Sequence, residues 1–241
     1  MTIELVPHLR GGTLGPGAES AVLVLHGGRE RSTMETSPFQ LSYLRMLDMY
    51  AGLRRHSRSC AVYLLRYRVR GWNPGGGVPD PVVDARWALD QISDRHPALP
   101  IALLGHSMGA RTAFAVADHP RVVGICALAP WLPQHEPLPP VRDDVRYVIA
   151  HGTSDRMTSA PLSKMYAMRL RAAGSQVARF EFEGGKHALL DQPALWHQFA
   201  VRTTLGLAGD RPLPAAIAAA LDNERTPDFA LALSSALAGV G

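Results

Sequence analysis

The stretch Ile101-Ala-Leu-Leu-Gly-His-Ser-Met-Gly-Ala110 decides how the chain folds. Residues 101–104 are a short apolar run of the kind that forms a strand buried on both faces. Residues 108–117 are rich in alanine and read as a helix. Between them Gly105-His-Ser107-Met-Gly109 fits the pattern Gly-X-Ser-X-Gly. Five residues with three fixed small positions carry modest weight alone; at a strand-to-helix turn they acquire a mechanical meaning. The turn is tight, so Ser107 is forced into a strained backbone conformation and its hydroxyl projects from the strand end. Glycines two residues away on either side keep the neighbouring backbones from colliding. The positive end of the following helix favours negative charge developing on or beside that oxygen. The plainer alternative is that Ser107 only caps the helix.

The same strand–loop–helix unit repeats on both sides. Residues 21–25 (AVLVL) are an apolar run closed by His26-Gly27-Gly28, and residues 60–65 (CAVYLL) are the next. Residues 39–55 carry apolar side chains close to helical spacing. Residues 71–77 (GWNPGGG) must be a loop. A helix is predicted from Asp80, with Asp80 as N-cap and Pro81 at the first helical position. Residues 122–128, 145–150 and 177–182 read as strands. Residues 160–173, closed by Gly174, and 193–205 read as helices. Strands alternating with helices predict a mostly parallel sheet covered on both faces, with right-handed crossovers. Residues 1–206 are read as one domain. Residues 207–241 are an alanine-rich tail, helical or mobile.

A serine hydroxyl is a weak nucleophile at neutral pH and needs a base within hydrogen-bond reach. Among ten histidines, His187 is singled out because Gly184-Gly-Lys-His187 follows the last of these strands, at the edge where Ser107 emerges. Asp155, in His151-Gly-Thr-Ser-Asp155, follows the strand at 145–150 and can accept the other imidazole proton, fixing the tautomer. Rival carboxylates are Asp191, only four residues from His187, and Glu136, on the loop after residues 122–128. An oxyanion also needs donors. The N–H of Met108 is one candidate. The N–H of Gly28 is the other, with Arg29 beside it as the alternative.

The 241 residues carry 25 Lys and Arg against 21 Asp and Glu, a formal charge of +4. The positive charge is mostly scattered arginine without a run of like charges, so no nucleic-acid or membrane partner is expected. Cys60 and Cys126 sit in strand-like runs and read as buried thiols rather than a disulfide. No spacing suggests a metal. The first ten residues lack a signal-peptide pattern and no apolar stretch reaches the ~20 residues of a membrane span, so a cytoplasmic location is expected. No dinucleotide or Walker fingerprint follows a strand.

Taken together, His26-Gly-Gly28, Gly105-His-Ser-Met-Gly109, His151-Gly-Thr-Ser-Asp155 and Gly185-Lys-His187 resemble the α/β-hydrolase family over roughly residues 21–205. Their order, nucleophile then acid then base, is that family's order. The resemblance implies an eight-stranded, mostly parallel sheet with one antiparallel strand near the N-terminus, residues 1–13 supplying the first strands. It also implies acyl-enzyme chemistry with no cofactor. Within the family the chain looks most like small bacterial esterases, dienelactone-hydrolase-like proteins and serine-aminopeptidase-like hydrolases. Many relatives insert a helical lid before the acid-bearing strand; residues 129–144 are too few for one, so an open site is expected. Arg29, Trp72, Trp131 and Leu132 are candidate pocket residues, the aromatic and leucine side chains having loop anchoring as their alternative. Arg29, Arg31, Arg66, Arg68 and Arg70 would suit an acidic substrate, or simply form a solvated edge. The functional reading is hydrolysis of a small to medium carboxylic ester or thioester. A peptidase or amidase on the same residues, and a non-catalytic binding protein on the same fold, are the alternatives.

Overall fold

The computed structural model describes residues 5–12, 17–73, 77–222 and 231–232. In chain order the elements are β1 (His8–Gly12), β2 (Ser20–Leu25), α1 (Leu41–His56), β3 (Cys60–Arg66), α2 (Asp80–Arg95), β4 (Ile101–His106), α3 (Met108–Ala115), β5 (Val122–Leu128), β6 (Arg146–Gly152), α4 (Ala160–Ala172), β7 (Gln176–Phe182), α5 (Pro193–Leu207), α6 (Ala215–Asp222) and β8 (Leu231–Ala232). The strands form one eight-stranded sheet in the order β1-β3-β2-β4-β5-β6-β7-β8. All neighbours are parallel except β1, which runs antiparallel to β3.

The strands are apolar throughout because both faces are covered, and their two-residue period sorts the side chains into two cores. Ala21, Leu23, Leu25, Leu103 and Ile149 join Ala85, Leu89, Phe114 and Tyr166 of α2, α3 and α4. Val22, Val24, Leu104, Val148 and Ala150 join Met46, Leu53, Trp196 and Phe199 of α1 and α5 on the other face.

The register brings the strand ends that matter to one edge. Leu25 lies beside Gly105, His106 beside Leu128, Leu128 beside Ala150, and Gly152 beside Phe182. The loops after β2, β4, β5, β6 and β7 therefore leave the sheet side by side.

Some local expectations change. β4 continues through His106 because Gly105 and His106 still pair with Ala127 and Leu128. Asp80 is not the cap of α2: Pro79 holds that position, and Asp80 instead accepts a hydrogen bond from Asn73 Nδ2 at 2.8 Å and lies 3.6 Å from Arg68. α4 has its cap in Ser159, whose hydroxyl accepts from Leu162 N–H, and ends at Gly174, whose φ of +99° suits a residue without Cβ. Of the first strands expected within residues 1–13, one is described, β1. In the tail, α6 buries Ile217 and Leu221 in the second core and β8 adds two residues to the edge of β7. Residues 223–230 and 233–241 lie outside the described residues, as do 74–76 of the glycine loop. Residues 129–144 contain no helix. Cys60 and Cys126 are buried free thiols, each pushed up to about 12 by burial. No helix among the described residues is long and apolar enough to cross a membrane.

Candidate active site

Ser107 sits between β4 and α3 with φ 56° and ψ −118°, a conformation that L-residues rarely adopt and that costs about 1–3 kcal/mol. The surroundings hold it there. Its N–H donates to Leu128 O at 3.0 Å, and its own carbonyl accepts from Trp131 N–H at 3.2 Å. The flanking glycines are a steric necessity. A Cβ on Gly105 would meet Gly109 O at 2.5 Å, and one on Gly109 would meet Leu25 O at 2.3 Å. The serine is 9% exposed.

The loops after β6 and β7 are stitched to each other before they reach Ser107. Thr153 N–H donates to Phe182 O at 2.9 Å, Ser154 N–H to Gly185 O at 3.0 Å, and Gly184 N–H to Thr153 Oγ1 at 2.9 Å. This seam sets Asp155 and His187 at a fixed separation. His187 Nδ1 lies 2.8 Å from Asp155 Oδ2 and His187 Nε2 lies 3.1 Å from Ser107 Oγ. With the carboxylate accepting the Nδ1 proton, Nε2 is left bare to accept the serine proton.

Asp155 is completely buried, yet it is the most heavily hydrogen-bonded carboxylate of the site. Oδ1 accepts from Met157 N–H at 2.8 Å and Thr158 N–H at 2.9 Å. Oδ2 accepts from His187, from the Thr158 hydroxyl at 2.8 Å, and from His151 Nε2 at 3.2 Å. Burial pushes its pKa up. The hydrogen bonds from His151, His187 and Thr158 outweigh burial and hold the carboxyl well below the usual carboxylate range. His151 and Thr158 did not emerge as site residues from the sequence. The available signal was their position, four before and three after Asp155. His106 is a further support: its Nε2 donates to the backbone carbonyl of His187 at 2.9 Å, and burial pushes its pKa down to about 3, so it stays neutral.

The rival carboxylates are engaged elsewhere. Asp191 accepts from Lys186 N–H and closes the turn that carries His187. Glu136 pairs with Arg111 at 2.8 and 2.6 Å. The Arg111 guanidinium also lies near both Trp72 and Trp131, 4.0 and 4.5 Å from the two ring centroids.

On the loop after β2, Arg29 N–H is tied to Arg70 O at 2.8 Å, which removes it as an oxyanion donor. Gly28 N–H and Met108 N–H have no acceptor among the described residues. The Met108 side chain lies against Gly28, where a Cβ would meet its Cε at 2.3 Å. Trp72 and Leu132, 4% and 3% exposed, anchor their loops in the first core. Trp131 is half-buried and Arg29 exposed. The arginines after β3 are structural: Arg66 donates to Thr36 O, Arg68 to Asp84, and Arg70 to Glu35 O, so they clamp residues 29–36 and α2. Among the described residues no group of three or more potential ligands could hold a metal.

A sequence profile of the family described as serine aminopeptidase, S33, matches residues 76–146, the segment that carries Ser107. Curated protein sequences give no match. Solved structures match over most of the chain. The Xanthomonas campestris protein XC6422, described as an α/β serine hydrolase without lid, is 15% identical with a TM-score of 0.61, covering 83% of this chain and 87% of its own. Esterase 2 of Thermogutta terrifontis, solved phosphorylated by paraoxon, is 15% identical with a TM-score of 0.61, covering 86% and 90%. Est1E of Butyrivibrio proteoclasticus, solved with ferulic acid, is 11% identical with a TM-score of 0.60, covering 84% and 95%. At these identities the likeness is one of fold. With one antiparallel strand among the described residues, a serine at the β4–α3 turn and these structural matches, the chain has the α/β-hydrolase fold, and the profile match falls on the segment that carries that turn.

Proposed function

We propose that the protein is a serine hydrolase that cleaves small to medium carboxylic esters, or thioesters, through an acyl-enzyme. The observation that carries the reading is the unbroken relay from Ser107 Oγ to His187 to Asp155, at 3.1 and 2.8 Å. In this reading Ser107 Oγ attacks the substrate carbonyl carbon while His187 Nε2 takes its proton. The tetrahedral oxyanion lies against Gly28 N–H and Met108 N–H. Its collapse breaks the bond to the leaving oxygen or sulfur, which takes the proton from His187. A water, deprotonated by the same imidazole, then releases the acid and restores Ser107. Asp155 stays ionised throughout, which its five hydrogen-bond donors favour.

The short connection between β5 and β6 contributes no helix over the site. The esterase among the structural neighbours supports ester cleavage. The aminopeptidase profile supports a second reading, cleavage of an amide next to a free amine. Against it, Asp155 and Glu136 are both already paired, with His187 and Arg111, and neither is free to hold an ammonium group. A chain-length series of p-nitrophenyl esters beside aminoacyl p-nitroanilides tests both. Turnover of short esters, with anilides inert and activity abolished in Ser107→Ala, is the expected result. Preferential anilide turnover selects the peptidase reading. Fluorophosphonate labelling that persists in Ser107→Ala overturns both.

A further inference from the structure

The edge of the sheet opposite the candidate active site carries a cavity. Ser107 follows the C-terminal end of β4, whereas this cavity lies between the end of α1, the end of α5 and the segment leading into α6. Those ends cluster around the start of β3, where the buried Asp210 accepts the N–H groups of Arg58 and Ser59. Strands of six or seven residues set the two edges about 20 Å apart. The cavity is about 550 Å³, within the range of small-molecule sites.

Its walls divide into two chemistries. Val201, Leu205 and Leu213 supply an apolar floor, and Arg58, Arg202 and Arg211 supply guanidinium groups at the rim. No acidic residue among the described residues lines it. Arg58 and Arg202 have no side-chain hydrogen bond or ion pair among the described residues. Arg211 is held in place, donating to His56 O at 2.7 Å and lying 3.8 Å from Asp210. Two imidazoles complete the lining. His56 uses Nδ1 on Gly52 O at 2.9 Å, and His197 packs on Gly52 with Asp48 4.0 Å away. Two guanidinium groups without partners among the described residues, beside apolar side chains, are a good match for one class of molecule.

We infer that this cavity binds an amphiphilic oxyanion, a carboxylate or phosphate head on a short unbranched apolar tail, with Arg58 and Arg202 on the head and Val201, Leu205 and Leu213 on the tail. Paired guanidinium groups bind either head through charge-assisted hydrogen bonds, and the tail gains from leaving water. Because the cavity shares no residue with the Ser107 edge, the inference does not rest on the proposed hydrolysis.

Calorimetric titration of sodium decanoate into the full chain tests it, with decyl phosphate, decanol and acetate as companions. The titration is repeated on Ser107→Ala and on the Arg58→Gln/Arg202→Gln double variant. Arg58 is exposed and Arg202 half-buried, and an unchanged melting temperature shows that the variant folds. The expected result is saturable binding of decanoate or decyl phosphate, equal in wild type and Ser107→Ala and at least tenfold weaker in the double variant. Decanol and acetate should each bind at least tenfold more weakly than the full amphiphile. The tighter of the two amphiphiles identifies the head group. The imidazole resonances of His56 and His197 should shift during the titration while those of His187 do not. Absence of saturable binding, affinity indifferent to the double variant, or shifts confined to His187 would each overturn the inference.

Discussion

Asp155 and Glu136 show how environment separates two carboxylates that look equally eligible on paper. Both lie on loops at the same sheet edge, and both are buried. Asp155 faces donors that include an imidazole bridging to Ser107. Glu136 faces a guanidinium that donates to Oε1 and lies 2.6 Å from Oε2. Replacement of Asp155 by Asn should therefore lower kcat by about 10⁴, since an amide presents the wrong hydrogen-bonding pattern to His187 Nδ1. Glu136→Gln should keep kcat within an order of magnitude of wild type. Steady-state ester hydrolysis by the two variants checks this; a reversed ranking would move the acid to Glu136. That Ser107, His187 and Asp155 would come together was legible because each stands just after a strand. The donors on Asp155 were not, since whether His151 turns inward depends on what packs around it.

The turn between β4 and α3 works only because its glycines leave room for the backbone at the end of β2 and for the first turn of α3 itself. Leu25 O would lie 2.3 Å from a Cβ on Gly109, and that oxygen belongs to the neighbouring strand and cannot swing aside like a side chain. Gly109→Ala should destabilise the protein at the upper end of the ~1–3 kcal/mol typical of overpacking. It should also cut kcat by about 10² by displacing Ser107 from His187. Urea unfolding and ester turnover read the two effects separately, and a Gly109→Ala protein as stable and active as wild type would refute the close approach. The glycines themselves were recognisable from the motif; which atoms they make room for was decided by the pairing of β2 with β4. Asp80 illustrates the converse. Its position before a helical run suggested a cap, but Asn73 and Arg68, both outside the helix, took its carboxylate.

At the scale of the molecule, two interior histidines couple stability to pH. Burial pushes His26 down to about 4 and His106 down to about 3, while the unfolded chain carries both near 6.5. Above about pH 6.5 neither state is protonated and the coupling vanishes. As pH falls below that, the unfolded chain takes up protons that the folded state refuses, so stability declines until the folded pKa values are reached. Each histidine contributes a slope of up to about 1.4 kcal/mol per pH unit. Unfolding free energies measured from pH 7 to pH 4.5 should show this decline, and His26→Gln should remove one histidine's share. An unchanged slope in that variant would contradict the burial of a neutral imidazole.

Strand and helix positions, the sheet's parallel sense and the three residues of the relay were determined by the sequence alone, because periodicity and tight-turn sterics act over a few neighbouring residues. The tertiary structure decided what depends on residues remote in the chain: the carboxylate's extra donors, the capture of Arg111 by two indoles and Glu136, and the conversion of the arginines after β3 from a possible substrate surface into loop clamps. It also decided the attachment of α6 and β8 to the edge of the sheet and the cationic cavity at its far side. Side chains more than a hundred residues apart, such as Arg58 and Arg202, meet only when packing brings α1 against α5. No local pattern encodes that meeting, since it follows from the summed burial of the two cores.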